Sequence, residues 1–224
     1  CLCQNDPPLI VPCYVNGDPL SGSVGSQDAL VMVGYDQRGN GANYATLPPT
    51  AGNGGMPTPL AKAGQVGAVW GVAWDQKSKT AFTTSVVKRF SGFGPLGVAG
   101  IYAITDPAGS RTVSSYLNLA PCLSLPALNR PGLALDIFGL SFDIEAYNAA
   151  GKQGLGGVTV SDDDMFLYTV DLSNKRLVQV KLRNSPEGPL LPGSCSNVNT
   201  YQIPNIPGCV NIDNRPWAVK EHKG

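Results

Sequence analysis

Few residues in this sequence have the type and spacing to do chemistry, and each candidate has a plain structural alternative. Gly92-Phe93-Gly94-Pro95-Leu96-Gly97 matches the GxGxxG spacing of dinucleotide loops. That motif needs a strand before it, a helix after it and backbone amides aimed at a pyrophosphate. Pro95 removes one amide and the segment runs on into the strand-like GIYAIT, so it predicts a glycine-rich loop between strands. Asp162, Asp163 and Asp164 supply carboxylates of the kind calcium takes, but a run of three between two strand patterns fits a solvated hairpin turn better. Asp36 to Gly41 has the flavour of a calcium loop, yet Arg38 occupies a ligand place and Leu47 stands where a bidentate Glu belongs. His222 is the single histidine and lies two residues from the end, and no GxSxG elbow is present. A Ser-His-Asp triad is therefore not expected. Asp143 with Glu145, and Asp75, are the carboxylates available for paired acid–base work, with nothing to single them out. No catalytic residue and no metal site are predicted, and no cofactor beyond a structural calcium held by backbone carbonyls.

The remaining candidates concern binding and crosslinking. Lys88, Arg89, Phe90 and Phe93 set two cations beside two aromatic rings in a loop, a composition suited to an anionic or carbohydrate ligand. The alternative has the long side chains lying across the loop and capping carbonyls. Trp70 and Trp74 have even spacing and share one strand face, which favours packing in a core over a sugar platform. Six cysteines stand at Cys1, Cys3, Cys13, Cys122, Cys195 and Cys209 without a CxxC pair, which favours disulfides and an oxidising compartment over zinc. Cys195 and Cys209 can close a short loop worth roughly 3 kcal/mol in the chain-entropy model. The other pairings stay open. No Asn-x-Ser/Thr acceptor is present, so sugars would be O-linked.

The elements that must position these residues are strands. Lys+Arg 16 balances Asp+Glu 16 in a 224-residue chain, only 14% of residues are charged, and Gly 27 with Pro 19 interrupts nearly every helical stretch. Neutrality excludes a nucleic-acid binder, and no apolar run is long enough to span a membrane as a helix. Strands are expected at 28–36, 68–74 and 100–105, with TAFTTSVV returning after the DQKSK turn. The phrase then recurs: GGVTVS, an Asp turn, MFLYTVDL, SNK, RLVQVKL. Residues 215–224 (RPWAVKEHKG) look like the opening strand of a further copy. Residues 45–65 and 184–209 are expected as Pro/Gly-rich loop insertions.

Repeated antiparallel units of this size predict an all-β chain built as a β-propeller with four-stranded blades. Two or three blades are visible where a closed ring needs four or more, so the chain is expected to be one propeller segment, incomplete at its C-terminus. Its opening on Cys1 without an initiator Met fits a processed chain or an excised piece.

The stretches VGAVWGVAWDQKSKTAFTTSVVKRFSGFGPLGVAGIYAITD, LGGVTVSDDDMFLYTVDLSNKRLVQVKL and NRPWAVKEHKG resemble the β-propeller of large bacterial-type cell-surface proteins. In that family the propeller commonly precedes immunoglobulin-like modules of the serine–aspartate-repeat type. Lys88 to Tyr102, KRxxGxGPxGxxGIY, carries the most specific part of the resemblance. The resemblance implies an extracellular structural or adhesive role and brings no catalytic residues with it. The expected partners are other copies or other segments of a surface or filament protein, and glycans through the loops around Lys88–Phe93 and 129–147. A ligand-binding module and a propeller hydrolase or lyase are the alternatives.

Overall fold

The computed structural model describes residues 7–35, 57–128, 130, 143–208 and 214–222. Within them the chain is all-β, with three antiparallel sheets laid down one after another. The first holds β1 (Pro8–Pro12), β2 (Asp28–Gly34) and β3 (Thr58–Lys62). The second holds β4 (Val69–Asp75), β5 (Thr80–Ser85), β6 (Gly100–Thr105) and β7 (Thr112–Asn118). The third holds β8 (Leu155–Val160), β9 (Phe166–Asp171), β10 (Arg176–Lys181) and β11 (Val198–Gln202). Strands adjacent in sequence are adjacent in each sheet, so every sheet is a simple meander. Three short helices, α1 (Ala63–Val66), α2 (Leu119–Leu123) and α3 (Ile144–Ala149), sit at connections.

Short polar side chains make the hairpins. The Asp75 carboxylate accepts from the amides of Lys77 at 3.1 Å and Ser78 at 3.4 Å, which folds β4 into β5. Asp171 does the same for β9 and β10, accepting from Ser173 and Asn174 amides at 3.0 and 3.1 Å. Between β8 and β9 the Ser161 hydroxyl accepts from the Phe166 amide at 2.9 Å. Asx and Ser turns of this kind reverse the chain without spending ladder hydrogen bonds.

The second sheet lies between the other two, and its alternating side chains serve two cores. Phe82, Ile101 and Ala103 join Leu155, Val158, Leu167, Val178 and Val180 on one face. Ala81, Tyr102 and Ile104 join Leu30, Leu60 and Val66 on the other. All six residues of β5 are buried, which is why the strand carries both apolar and β-branched residues without a polar face. Its polar members are satisfied: the Thr83 hydroxyl donates to the Gly71 carbonyl at 2.6 Å and Thr84 to Gly156 at 3.0 Å.

Three expectations need correction. The segments 45–65 and 184–209, expected as loops, carry β3 with α1 and β11 respectively, while residues 36–56 and 209–213 lie outside the described residues. The Cys195–Cys209 pairing does not form, because Cys195 is bonded to Cys122 across 73 residues, with Cα atoms 5.1 Å apart. The chain after β10 folds back over the second sheet: the Leu191 amide donates to Leu182 at 2.8 Å and the Tyr116 hydroxyl donates to the Leu191 carbonyl at 3.0 Å. That path delivers Cys195 to the end of α2. The resulting closure is worth about 4.5 kcal/mol in the chain-entropy model, more than the short loop would give. Cys1, Cys3 and Cys209 lie outside the described residues, and Cys13 is a half-buried thiol.

Candidate functional site

The Lys88–Phe93 loop leaves β5 and turns sharply, with Phe90 in the left-handed region at φ 58°. The Lys88 ammonium points inward and donates to the Val69 carbonyl at 2.6 Å, and burial lowers its pKa. Arg89 is exposed and its guanidinium lies over the Phe90 ring, 4.7 Å from the centroid. The Phe93 side chain is buried in the core shared by the second and third sheets. The four residues thus do not form one surface: only Arg89 and the half-buried Phe90 face outward.

What the loop does is hold neighbouring segments together. The Phe90 amide donates to Asp143 Oδ2 at 2.6 Å, and Asp143 in turn pairs with Arg130 at 2.5 Å, both side chains 2% exposed. Arg130 also donates to the Lys88 carbonyl at 3.2 Å. Burial alone would raise the Asp143 pKa, but the Phe90 and Ala146 amides and the Arg130 guanidinium together bring it below the usual carboxylate value. On the other side the Tyr14 hydroxyl donates to the Arg89 carbonyl, and the Ser91 hydroxyl donates to Val15 at 2.6 Å. The glycines behind the loop serve close approach. A Cβ at Gly94 would lie 2.5 Å from the Val66 carbonyl carbon and 2.7 Å from the Tyr102 hydroxyl, so the GxGxxG spacing records tight packing.

Two carboxylates of the acidic run are engaged, Asp163 within its own turn and Asp164 on the neighbouring sheet. Asp163 accepts from the Ser161 hydroxyl at 2.6 Å and the Met165 amide at 2.9 Å, which lowers its pKa. The Asp164 carboxylate accepts from the Gln76 amide at 3.3 Å, reaching from the third sheet to the second. Among the described residues no group of three or more His, Cys, Asp or Glu is placed to hold a metal ion, and no helix is long and apolar enough to cross a membrane. Glu145 and His222 are exposed.

One buried pair has no local signature in the amino-acid order. Asp75 and Arg183 meet at 2.5 Å with side chains 0% and 1% exposed, and Arg183 also donates to the Asp164 carbonyl. A buried arginine thus bolts the first turn of the second sheet to the first turn of the third. Only the tertiary fold brings these residues together, since they lie 108 positions apart.

The inner edges of the sheets are the most regular feature. β4 and β8 run side by side, and a Cβ at Gly71 would lie 2.9 Å from the Val158 amide nitrogen. Residues 214–222 lie against β8 in the same manner: the Gly157 amide donates to the Trp217 carbonyl at 2.8 Å, and a Cβ at Gly156 would lie 2.1 Å from that oxygen. Trp217 also meets Trp70 edge to face, with centroids 6.4 Å apart. The expected burial of the tryptophan pair is not met. Trp70 and Trp74 are 53% and 42% exposed, although Val69, Val72 and Ala73 of the same strand pack into the two cores. The outer face of β1 is similarly open, with Leu9 and Val11 exposed opposite the partly covered Val33 and Val31.

No protein-family model matches the chain, and no solved structure matches it. It is similar to Colossin-D of Dictyostelium discoideum, 24% identical over 220 residues that cover 97% of this chain and 21% of that protein. It is also similar to Colossin-C of the same organism, 23% identical over 233 residues, covering 96% of this chain and 19% of that protein. The similarity to Colossin-B, 23% over 184 residues, covers 82% of this chain and 4% of that protein. The chain thus spans about a fifth or less of the length of these relatives.

Proposed function

We propose that the chain is a non-catalytic β-propeller segment of a large extracellular or filament-forming protein, in which it serves as a rigid element for protein–protein contact. The observation that carries this reading is the repetition of one joint. Each four-stranded sheet acts as a blade whose innermost strand lies against the innermost strand of the next, at a glycine with no room for a side chain. The same Thr-to-Gly hydrogen bond spans 12 residues in both blades, Thr83 to Gly71 at 2.6 Å and Thr169 to Gly157 at 2.9 Å. The apolar faces at Leu9, Val11, Trp70 and Trp74 are the surfaces on which contact is made. The Cys122–Cys195 disulfide agrees with an oxidising compartment. The carboxylates of Asp75, Asp143 and Asp163 are committed to arginines, hydroxyls and backbone amides, which favours a structural role over acid–base work. The reading needs no cofactor.

Antibody raised against the chain tests the reading on the cells that make it. Labelling of intact cells, lost after brief protease treatment of their surface, is expected. Labelling that requires permeabilised cells would contradict it. Of the Lys88–Phe93 loop, Arg89 and Phe90 are left to serve a glycan-binding role once Lys88 and Phe93 turn inward, and most of the other loop expected to serve it, 129–147, lies outside the described residues; a glycan array is expected to show no hits.

A further inference from the structure

The outer strands of the three sheets differ in what guards their free edges. β3 carries Pro59 and ends on Lys62, which pairs with Asp28 at 2.6 Å. β7 is crossed by the chain that follows β10, which presses Gly193 against the Tyr116 carbonyl. Proline, charge and covering chain are devices that keep a strand edge from pairing further. β11 has none of them. It reads VNTYQ, four of its five residues are exposed, and residues 188–212 contain no Lys, Arg, Asp or Glu.

The hydrogen bonds to β10 decide which groups this edge offers. The Ile203 amide donates to the Lys175 carbonyl at 3.1 Å, so alternate residues Asn199 and Tyr201 turn their amides and carbonyls toward β10. Val198, Thr200 and Gln202 turn theirs outward. The Val198 amide is spent on the Cys195 carbonyl, and Pro204 has no amide. Thr200 and Gln202 are thus two free donors between two positions that cannot donate. Among the described residues no strand pairs with this edge.

We propose that the β11 edge pairs antiparallel with the same edge of a second copy of this chain, about a two-fold axis at Tyr201. Thr200 of one copy then lies opposite Gln202 of the other, and each such pair exchanges both backbone hydrogen bonds. Between them Tyr201 faces Tyr201 in a non-hydrogen-bonded pair, where side chains come closest. The Tyr201 hydroxyl donates to Gln179 Oε1 at 3.1 Å, which ties the ring to its own sheet and leaves it 50% exposed. The ladder ends by itself at Val198 opposite Pro204, where neither residue has an amide to give. An axis at Thr200 would instead drive the Gln202 carbonyl onto the Cys195 carbonyl that already takes the Val198 amide. The occupant is a copy because the free groups match themselves about the axis, and a strip without charge meets its own image without repulsion. Pairing here needs only the ladder of the third sheet and is independent of the propeller reading.

Sedimentation equilibrium and amide exchange by NMR on the 224-residue chain test the pairing together. A monomer–dimer equilibrium is expected. The Thr200 and Gln202 amides are expected to slow at least about tenfold as the dimer fills, while Ile203 is protected at every concentration. Tyr201→Lys sets like charges across the axis and is expected to weaken the dimer at least about tenfold, as is Tyr201→Glu; an equimolar mixture of the two variants recovers it. Thr200→Pro removes a donor that the monomer does not use, and is expected to weaken the dimer to the same degree with Ile203 still protected. A chain that stays monomeric up to about 1 mM overturns the inference. So does a dimer that all three substitutions leave unchanged, or one in which Thr200 and Gln202 exchange as fast as in the monomer, since the contact then lies on another face. Rapid exchange at Ile203 in the monomer removes the ladder on which the pairing is built, and overturns it as well.

Discussion

The joint between the second and third sheets and the joint between the third sheet and residues 214–222 start from the same contact, a glycine pressed on a neighbouring backbone. They differ in everything behind it. The first joint adds the Asp75–Arg183 pair, the Cys122–Cys195 bond and a large shared apolar core. The second has, among the described residues, the Gly157 and Asp162 amide bonds, a long Lys220–Thr159 hydrogen bond at 3.5 Å and the Trp217–Trp70 contact. The glycine sets how close two inner strands come, while the outer strands and loops set how firmly they stay. Local stability in proteins follows such contact density, so the second joint opens at far lower free energy than the first.

The largest effect is expected from breaking the bolt of the strong joint. Asp75→Ala leaves Arg183 buried without its partner and costs on the order of 3–5 kcal/mol, measured by urea unfolding. Asp75→Ala combined with Arg183→Leu recovers much of that loss, because the uncompensated charge is gone. Replacing Cys122 and Cys195 together by alanine is expected to cost about 2–5 kcal/mol, with the same readout. A smaller, sharper contrast comes from the glycines. Gly71→Ala forces apart two buried strands and costs about 1–3 kcal/mol of global stability. Gly156→Ala releases residues 214–222, seen as a red shift of Trp217 emission, with global stability changed by less than about 0.5 kcal/mol. Finally, burial pushes the Tyr116 hydroxyl up to about 12, so the folded state keeps a proton that the unfolded chain gives up from about pH 10. Stability therefore falls as pH rises between those values, and Tyr116→Phe flattens that fall in urea titrations run at several pH values.

The inner strands are legible in the sequence because they are rich in apolar and β-branched residues, and β5, β6 and β8 are buried along nearly their whole length. VWGVAW, TAFTTS, GIYAIT and GGVTV fall within a residue or two of β4, β5, β6 and β8. The hairpin turns are legible too, since Asp75 and Asp171 announce themselves by type. The outer strands are not. β7 and β11 are largely exposed and carry Ser, Asn, Thr and Gln, and β3 is hidden in a proline-rich stretch. An exposed edge strand gains its order from the ladder, and its own side chains report little of that. The four residues of the expected binding loop do not share one surface, for a related reason. Lys88, Arg89, Phe90 and Phe93 are close in sequence, but a left-handed turn at Phe90 and the pull of two cores send them in different directions. Even spacing predicts one shared face for Trp70 and Trp74, but an irregularity between Val69 and Val72 breaks the alternation of β4, and both rings are exposed. The Asp75–Arg183 and Arg130–Asp143 pairs are products of the tertiary fold and leave no local pattern.

The central claim is that one joint is used twice, first by β4 on β8 and then by β8 on residues 214–222. Nuclear Overhauser contacts in the 224-residue chain test it most directly. Cross-peaks are predicted from the Gly71 α-protons to the Val158 amide and, equally, from the Gly157 α-protons to the Ala218 α-proton and the Val219 amide. The first set without the second would show that residues 214–222 do not occupy the place of an inner strand, and would contradict the claim.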